Sequence, residues 1–178
     1  MIIIGFDCAT KTGWAVYDAA KKKIIESGVQ DFAKKRGESN GLMFLRFNKW
    51  IAEMIAITDP DLICYEQAHY RGGAATEICV NLTGRVQEVA ADYDLEFATV
   101  QTKKLKLFAT GSGGASKEKM IEAARPILGR DPIDDNEADA VWITLWAAAE
   151  YYSPEVNRPR TVAIRNGRNE TDKTNKQS

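Results

Sequence analysis

The sequence predicts an α/β domain on a mixed five-stranded sheet, with an antiparallel meander as its first three strands and helices flanking it. Two observations carry this reading. Short β-branched and apolar runs crowd residues 2–31 with only tight connections between them, as consecutive antiparallel strands do. Beyond residue 40 the pattern alternates between helical spacing and short, wholly apolar runs, the order that lays helices against parallel strands. A chain of 178 residues is one domain of ordinary size.

Ile2 to Asp7 reads as the first strand, Thr12-Gly13 as a turn, Trp14 to Asp18 as the second strand and Lys23 to Asp31 as the third. Lys34 to Gly41 is polar loop. Met43, Phe47, Trp50, Ile51, Met54 and Ile55 follow helical spacing, and Asp59-Pro60 ends that helix, because the residue before a proline is driven out of the α region. Asp61 to Glu66 is a short apolar run ending in a carboxylate, as a strand buried on both faces reads. Arg71-Gly72-Gly73 breaks the pattern, Ala74 to Tyr93 is helical, Glu96 to Val100 is the last strand, and Lys103 to Ala109 is a short helix. Thr110 to Gly114 is a flexible loop. Ser116 can cap a helix with Met120, Ile121, Ala124 and Ile127 on one face, and Pro126 predicts a kinked or irregular end to it. After the acidic loop Asp131 to Asp135, the final helix carries Ala138, Val141, Trp142, Leu145, Trp146 and Ala149 on one face and ends near Tyr152; both tryptophans are read as core. The folded domain is expected over residues 1–154, with a basic, flexible tail over 155–178.

Charged residues make up 28% and hydrophobic ones 44%, the balance of a soluble globular protein, and no apolar run approaches a membrane span. The apolar start lacks the basic stretch and length of a secretory signal. Three cysteines, Cys8, Cys64 and Cys79, are odd in number and not at metal-ligand spacings, so they are read as reduced thiols of a cytoplasmic protein, and the N-x-T triplets at Asn81 and Asn169 as chance matches. Net charge is −1, but from Arg158 onward six basic residues face two acidic ones, a +4 tail on a −5 body. That division suits a protein that holds cations in one place and touches phosphates in another; a solvated tail accounts for it equally well.

Asp7 and Glu66 each end an apolar strand, where a carboxylate is costly to desolvate unless something positive meets it and where open α/β sheets bind ligands. A third group, Asp134 to Asp139, opens the last helix. Asn136 and Asp139, or Asp135 and Asp139, share a helical face, and Asp139 lies beside the apolar stripe. If the three carboxylates converge, their repulsion calls for a cation, and hard oxygen donors select Mg²⁺ or Mn²⁺. Two such ions about 3.5–4 Å apart are the usual arrangement for phosphodiester hydrolysis. On the residues alone, strand-end turns and favourable helix-dipole chemistry explain the same carboxylates.

The run Gly5-Phe6-Asp7 with Thr12-Gly13-Trp14-Ala15, then Tyr65-Glu66-Gln67, then Ala138-Asp139-Ala140, resembles the RuvC family of Holliday-junction resolvases over roughly residues 2 to 150. The stretch from Lys106 through Thr110-Gly111 to Ala115-Ser116-Lys117 resembles that family's basic segment, and the likeness is to phage-type or divergent members. The resemblance implies a ribonuclease H-like fold, a homodimer, and Mg²⁺-dependent paired nicks in four-way DNA junctions, with Mn²⁺ substituting and two ions per active site. It assigns Asp7, Glu66 and Asp139 as metal ligands and Asn136 to the remaining ligand position, where the family more often has Asp or His; Asp135 can take over some of that role. Ala9, where many members have Gly, and a shorter first loop are further departures. Lys106 and Lys117 match basic positions near the scissile phosphate, Lys117 in a catalytic role. His69 falls where the family stacks an aromatic at the junction centre, with Tyr70 and Arg71 beside it as further DNA contacts. The helix from Ala74 to Tyr93 occupies the place of the family's dimer helix; burial against its own sheet is the competing account.

Three rivals share pieces of this pattern. A sugar-kinase or actin-like phosphotransferase has the same opening of strand, Asp, Thr-Gly and strand but needs two such domains. A P-loop around Gly111 to Lys117 fails because Ser116 precedes the lysine and Glu118 follows it. A non-catalytic branched-DNA-binding module is disfavoured by the retained Asp7, Glu66 and Asp139. No Ser/His/Asp or Cys/His nucleophile arrangement is evident, with one His in the chain.

Overall fold

Five strands, β1 (Ile2–Asp7), β2 (Lys11–Asp18), β3 (Lys23–Asp31), β4 (Leu62–Glu66) and β5 (Glu96–Val100), form one sheet in the order β3-β2-β1-β4-β5. β2 runs antiparallel to β1 and β3, and β4 runs parallel to β1 and β5. The computed structural model describes residues 1–68 and 73–154. His69, Tyr70, Arg71 and the predicted tail lie outside the described residues.

Helices α1 (Asn40–Thr58) and α2 (Ala74–Asp92) make the crossovers between the parallel strands. Together they cover one face of the sheet, where Ile4, Phe6, Val16, Ile63 and Tyr65 meet Met43, Phe47 and Ile51 of α1 and Leu82, Val86 and Val89 of α2. α2 packs one face, from Leu82 to Ala90, against its own sheet. Helices α3 (Thr102–Thr110), α4 (Lys117–Leu128) and α5 (Asp135–Tyr151) serve the other face, where Ile3, Leu62, Cys64 and Val100 pack with Leu105, Met120, Ile143 and Trp146. Trp146 is buried as expected, while Trp142 is half-buried with its ring edge-on to Phe108.

Local chemistry sets the helix ends. The Ser39 hydroxyl accepts from the Leu42 N–H and starts α1 earlier than the apolar pattern alone implied, and Asp59, at φ 44°, ends it. Ser116 caps α4 as expected, accepting from the Lys119 N–H. α4 continues through Pro126 to Leu128, where Gly129 (φ 68°) closes it in the left-handed conformation that glycine adopts without strain. Among the described residues no helix is long and apolar enough to cross a membrane, and all three cysteines are free.

One expectation is corrected. Thr12-Gly13 is not a turn: β2 begins at Lys11, Gly13 pairs with Asp7, and the buried Thr12 donates its hydroxyl to the Ala9 carbonyl at 2.6 Å. Gly13 marks close approach instead, because a Cβ there would stand 1.9 Å from the Asn136 carbonyl oxygen. Gly5 has the same role on the neighbouring strand, where a Cβ would stand 2.7 Å from Cγ2 of Thr144 and 3.0 Å from the Ala140 carbonyl oxygen. α5 therefore sits on β1 and β2 with no strand side chain between at these two points.

Gly13→Ala is expected to lower the unfolding free energy by about 1–3 kcal/mol, the range for forcing atoms into a packed site. Gly114→Ala, where an added Cβ meets nothing within 4 Å, is expected to change it little. Urea unfolding midpoints check this, and equal midpoints for the two variants would contradict the tight seat of α5.

Candidate active site

Period-two alternation decides where the strand-end carboxylates point. In β1, Ile4 and Phe6 belong to the α1/α2 core and Ile3 to the opposite one, so Asp7 shares the face of Ile3 and Gly5. In β4, Ile63 and Tyr65 face α1 and α2, while Leu62 and Cys64 face α3 to α5, so Glu66 extends the second set. Phe6 pairs with Tyr65 in the parallel β1/β4 ladder, which sets Asp7 and Glu66 side by side at the carboxyl ends of neighbouring strands. This is the edge where α/β sheets bind ligands.

α5 brings the third carboxylate. Asp134 caps the helix, its Oδ1 accepting from the N–H groups of Asn136 at 2.9 Å and Glu137 at 3.1 Å. Glu137, 0% exposed, accepts from Arg130 Nη2 at 2.5 Å, Ser27 Oγ at 2.6 Å and the Ile133 N–H at 2.5 Å. Burial pushes its pKa up, but these donors more than offset it and hold the carboxyl below its usual range. Glu137 thereby ties the start of α5 to β3. With that end fixed and Gly13 against Asn136, the next turn places Asp139 over the Asp7 end of β1.

The electrostatics record the gathering. Burial, then the charges of Asp139, Glu66 and Asp135, raise the Asp7 carboxyl well above the usual range, with Lys117 opposing. Burial, then Glu66 and Asp135, push Asp139 up to about 7, with Lys106 and Lys117 opposing. The Asp139 Oδ1 is buried with no hydrogen-bond partner. The Glu66 Oε1 accepts from the Thr102 hydroxyl at the start of α3. A cleft of about 260 Å³ opens beside Asp7 and Glu66, lined also by Cys8, Gln67, Cys79 and Thr83.

The other candidate residues are placed as follows. Asp135 pairs with Lys117, whose side chain is 72% exposed at the start of α4. The Asn136 side-chain amide donates to Asp134 Oδ2 at 3.0 Å, so its NH₂ serves the cap. Lys106 donates from Nζ to the Ala115 carbonyl at 2.8 Å and is half-buried, so it ties down the loop before α4 while lending its charge to Asp139. In the sequence, Thr102 and Glu137 carry no functional reading, and Gly13 is read only as a turn and as part of the family motif. Glu137 lies one turn before the buried Val141, a signal in the helical spacing; Thr102 carried none.

The donor chemistry fits a hard divalent cation: carboxylates from three elements, those of Asp7 and Asp139 raised by burial and then by neighbouring carboxylates, with one Asp139 oxygen buried and unpartnered. Among the described residues, no three His, Cys, Asp or Glu side chains form a group that could hold a metal ion as they stand.

No family model matches the chain. It is 30% identical over 150 residues to the crossover junction endodeoxyribonuclease RuvC of Prochlorococcus marinus subsp. pastoris, covering 82% of this chain and 94% of that protein. To the protein of the same description from Rickettsia felis it is 28% identical over 149 residues, covering 80% and 94%. The structure of Thermus thermophilus RuvC in complex with a Holliday junction substrate superposes with a TM-score of 0.71 at 23% identity, over 83% of this chain and 93% of that one. That likeness establishes the ribonuclease H-like fold.

The raised carboxyls fix a pH dependence for the metal-free protein. Asp139 binds its proton more tightly folded (about 7) than at its ordinary 3.8, so across that interval the folded state holds the extra proton and stability falls as pH rises. Asp7 acts in the same direction. The lowered carboxyls of Asp18, Glu38 and Glu137 lose their contribution only as pH falls toward the acid range. Thermal unfolding in chelator from pH 5 to 8 is expected to show a falling melting temperature, with a shallower slope in Asp139→Asn. A rising melting temperature in the wild type would contradict the crowding.

Proposed function

The chain belongs to the RuvC family of crossover junction endodeoxyribonucleases, and from that premise we propose that it resolves four-way (Holliday) DNA junctions by paired, metal-dependent phosphodiester hydrolysis. The observation that carries the proposal is Asp139, seated by α5 among the charges of Asp7 and Glu66 with a buried oxygen left unpartnered.

In this reading Asp7, Glu66 and Asp139 hold the cation, Mg²⁺ with Mn²⁺ able to substitute, two ions per site. Asn136 or Asp135 completes the set. A divalent cation so held supplies positive charge to the phosphate and acidifies an attacking water. The protein's own groups do the rest. The strand ends and α5 fix the carboxylates on rigid elements. Lys117 is exposed enough to meet a phosphate oxygen and balances charge there as Asp135 releases it. Lys106 keeps the loop before α4 in place. Attack by water leaves 5′-phosphate and 3′-hydroxyl ends, with no covalent enzyme intermediate. Two symmetric cuts need two sites, which a homodimer supplies. The basic segment from Arg158 onward adds phosphate affinity that weakens with salt, and the protein acts on DNA in the cytoplasm.

Incubation with a labelled four-way junction, a linear duplex and a flap, with and without Mg²⁺ or Mn²⁺, tests the proposal. Metal-dependent paired cutting of the junction alone is expected. Asp7→Asn and Asp139→Asn are each expected to cut at least about 10²-fold more slowly while still binding the junction, the scale of losing one group that stabilises the transition state. Equal cutting of all three DNAs would remove the junction selectivity, and binding without cutting under either metal would make the protein a junction-binding module.

Lys117→Gln is expected to slow cutting about 10-fold or more and to leave the metal requirement unchanged. Wild-type rates in that variant would place the phosphate contact elsewhere.

A further inference from the structure

We propose that Thr102 is a positioning residue for Glu66, fixing the carboxylate in the cleft and so setting how tightly the site takes a divalent cation. The inference rests on the reading of Glu66 as a cation ligand.

The chain builds the contact from both sides. Glu66 pairs with Val100 at the end of the β4/β5 ladder, and the Gln67 N–H donates to the Val100 carbonyl at 2.8 Å, so the two strand ends are locked together just past the carboxylate. Two residues beyond Val100, α3 begins at Thr102. The buried Leu105, whose N–H donates to the Gln101 carbonyl at 2.9 Å, anchors that first turn in the core beneath α5. The N-cap residue Gln101 makes no side-chain cap hydrogen bond, and the Thr102 hydroxyl is directed at Glu66 Oε1. The donor therefore stands on a frame that cannot drift relative to β4.

A glutamate side chain has several rotatable bonds. Beside Asp7 and Asp139 a carboxylate is pushed away by like charge, and swinging outward would relieve the repulsion. A hydroxyl donating to one oxygen opposes that swing. Outer hydrogen bonds of this kind orient ligand side chains, and their removal typically costs about 10–100-fold in metal affinity. Valine matches threonine in shape and removes only the donor; serine keeps the donor.

The test is Mn²⁺ binding to the full chain without DNA, read from the electron paramagnetic resonance signal of free Mn²⁺, alongside junction cleavage across a Mn²⁺ series. Thr102→Val is expected to weaken Mn²⁺ binding about 10-fold and raise the half-maximal Mn²⁺ for cleavage by the same factor. Its rate at saturating Mn²⁺ should stay within about twofold of wild type, and Thr102→Ser should bind as wild type does. Unchanged Mn²⁺ binding in Thr102→Val overturns the proposal, as does equal loss in the Val and Ser variants, which would mark a merely structural residue. If the Val variant fails to fold, Thr102→Ala carries the same comparison with Ser. Glu66→Gln separates the two levels: wild-type Mn²⁺ binding and cutting in it would sink the reading of Glu66 itself, whereas loss of both in Glu66→Gln with none in Thr102→Val would sink the role of Thr102 alone.

Discussion

The contact on which the rest depends is the bare seat of α5 on β1 and β2. At Gly5 and Gly13 the helix backbone and Thr144 come so near the strands that a single methyl would collide. A helix held at that depth has little freedom to slide or roll. Glu137, buried under Arg130, Ser27 and the Ile133 N–H, fixes its start. Asp139, on the following turn, is then carried to the end of β1 by packing.

That packing creates an electrostatic conflict. Strand alternation aims Asp7 and Glu66 at the same face, and α5 adds Asp139, so three carboxylates are brought together partly out of water. Apolar burial elsewhere in the two cores must carry this cost. Lys117 and Lys106 offset some of the charge, but both ammonium groups are engaged, one with Asp135 and the other with the Ala115 carbonyl. Such a cost retained in the folded state supports the proposed cation, because sites of strained charge are where function concentrates.

Much of this was legible in the residues. The strand β5 and the cap at Ser116 follow from local chemistry that does not depend on distant contacts. The carboxylates at Asp7 and Glu66 stand out because charge at the end of an apolar run is physically anomalous, and Asp139 because it lies beside the apolar stripe of its helix. Gly13 was misread because glycine signals both turns and close approach, and only the position of Asn136, far along the chain, decides between them. Thr102 was invisible because its meaning lies in a contact across the β4/β5 ladder. Lys106 reads as a phosphate contact in the sequence, and in the DNA-free structure its ammonium donates to the Ala115 carbonyl in the loop before α4. Its charge still reaches the site. His69, Tyr70 and Arg71 lie outside the described residues.

The central claim is that carboxylates from β1, β4 and α5 form one cation pocket. Anomalous diffraction from crystals grown with Mn²⁺ tests it most directly. The account expects anomalous density bounded by Asp7, Glu66 and Asp139, with their oxygens drawn in to about 2.0–2.3 Å, the span of hard-cation oxygen contacts. Mn²⁺ bound elsewhere, with these three side chains unmoved and without density between them, would contradict it.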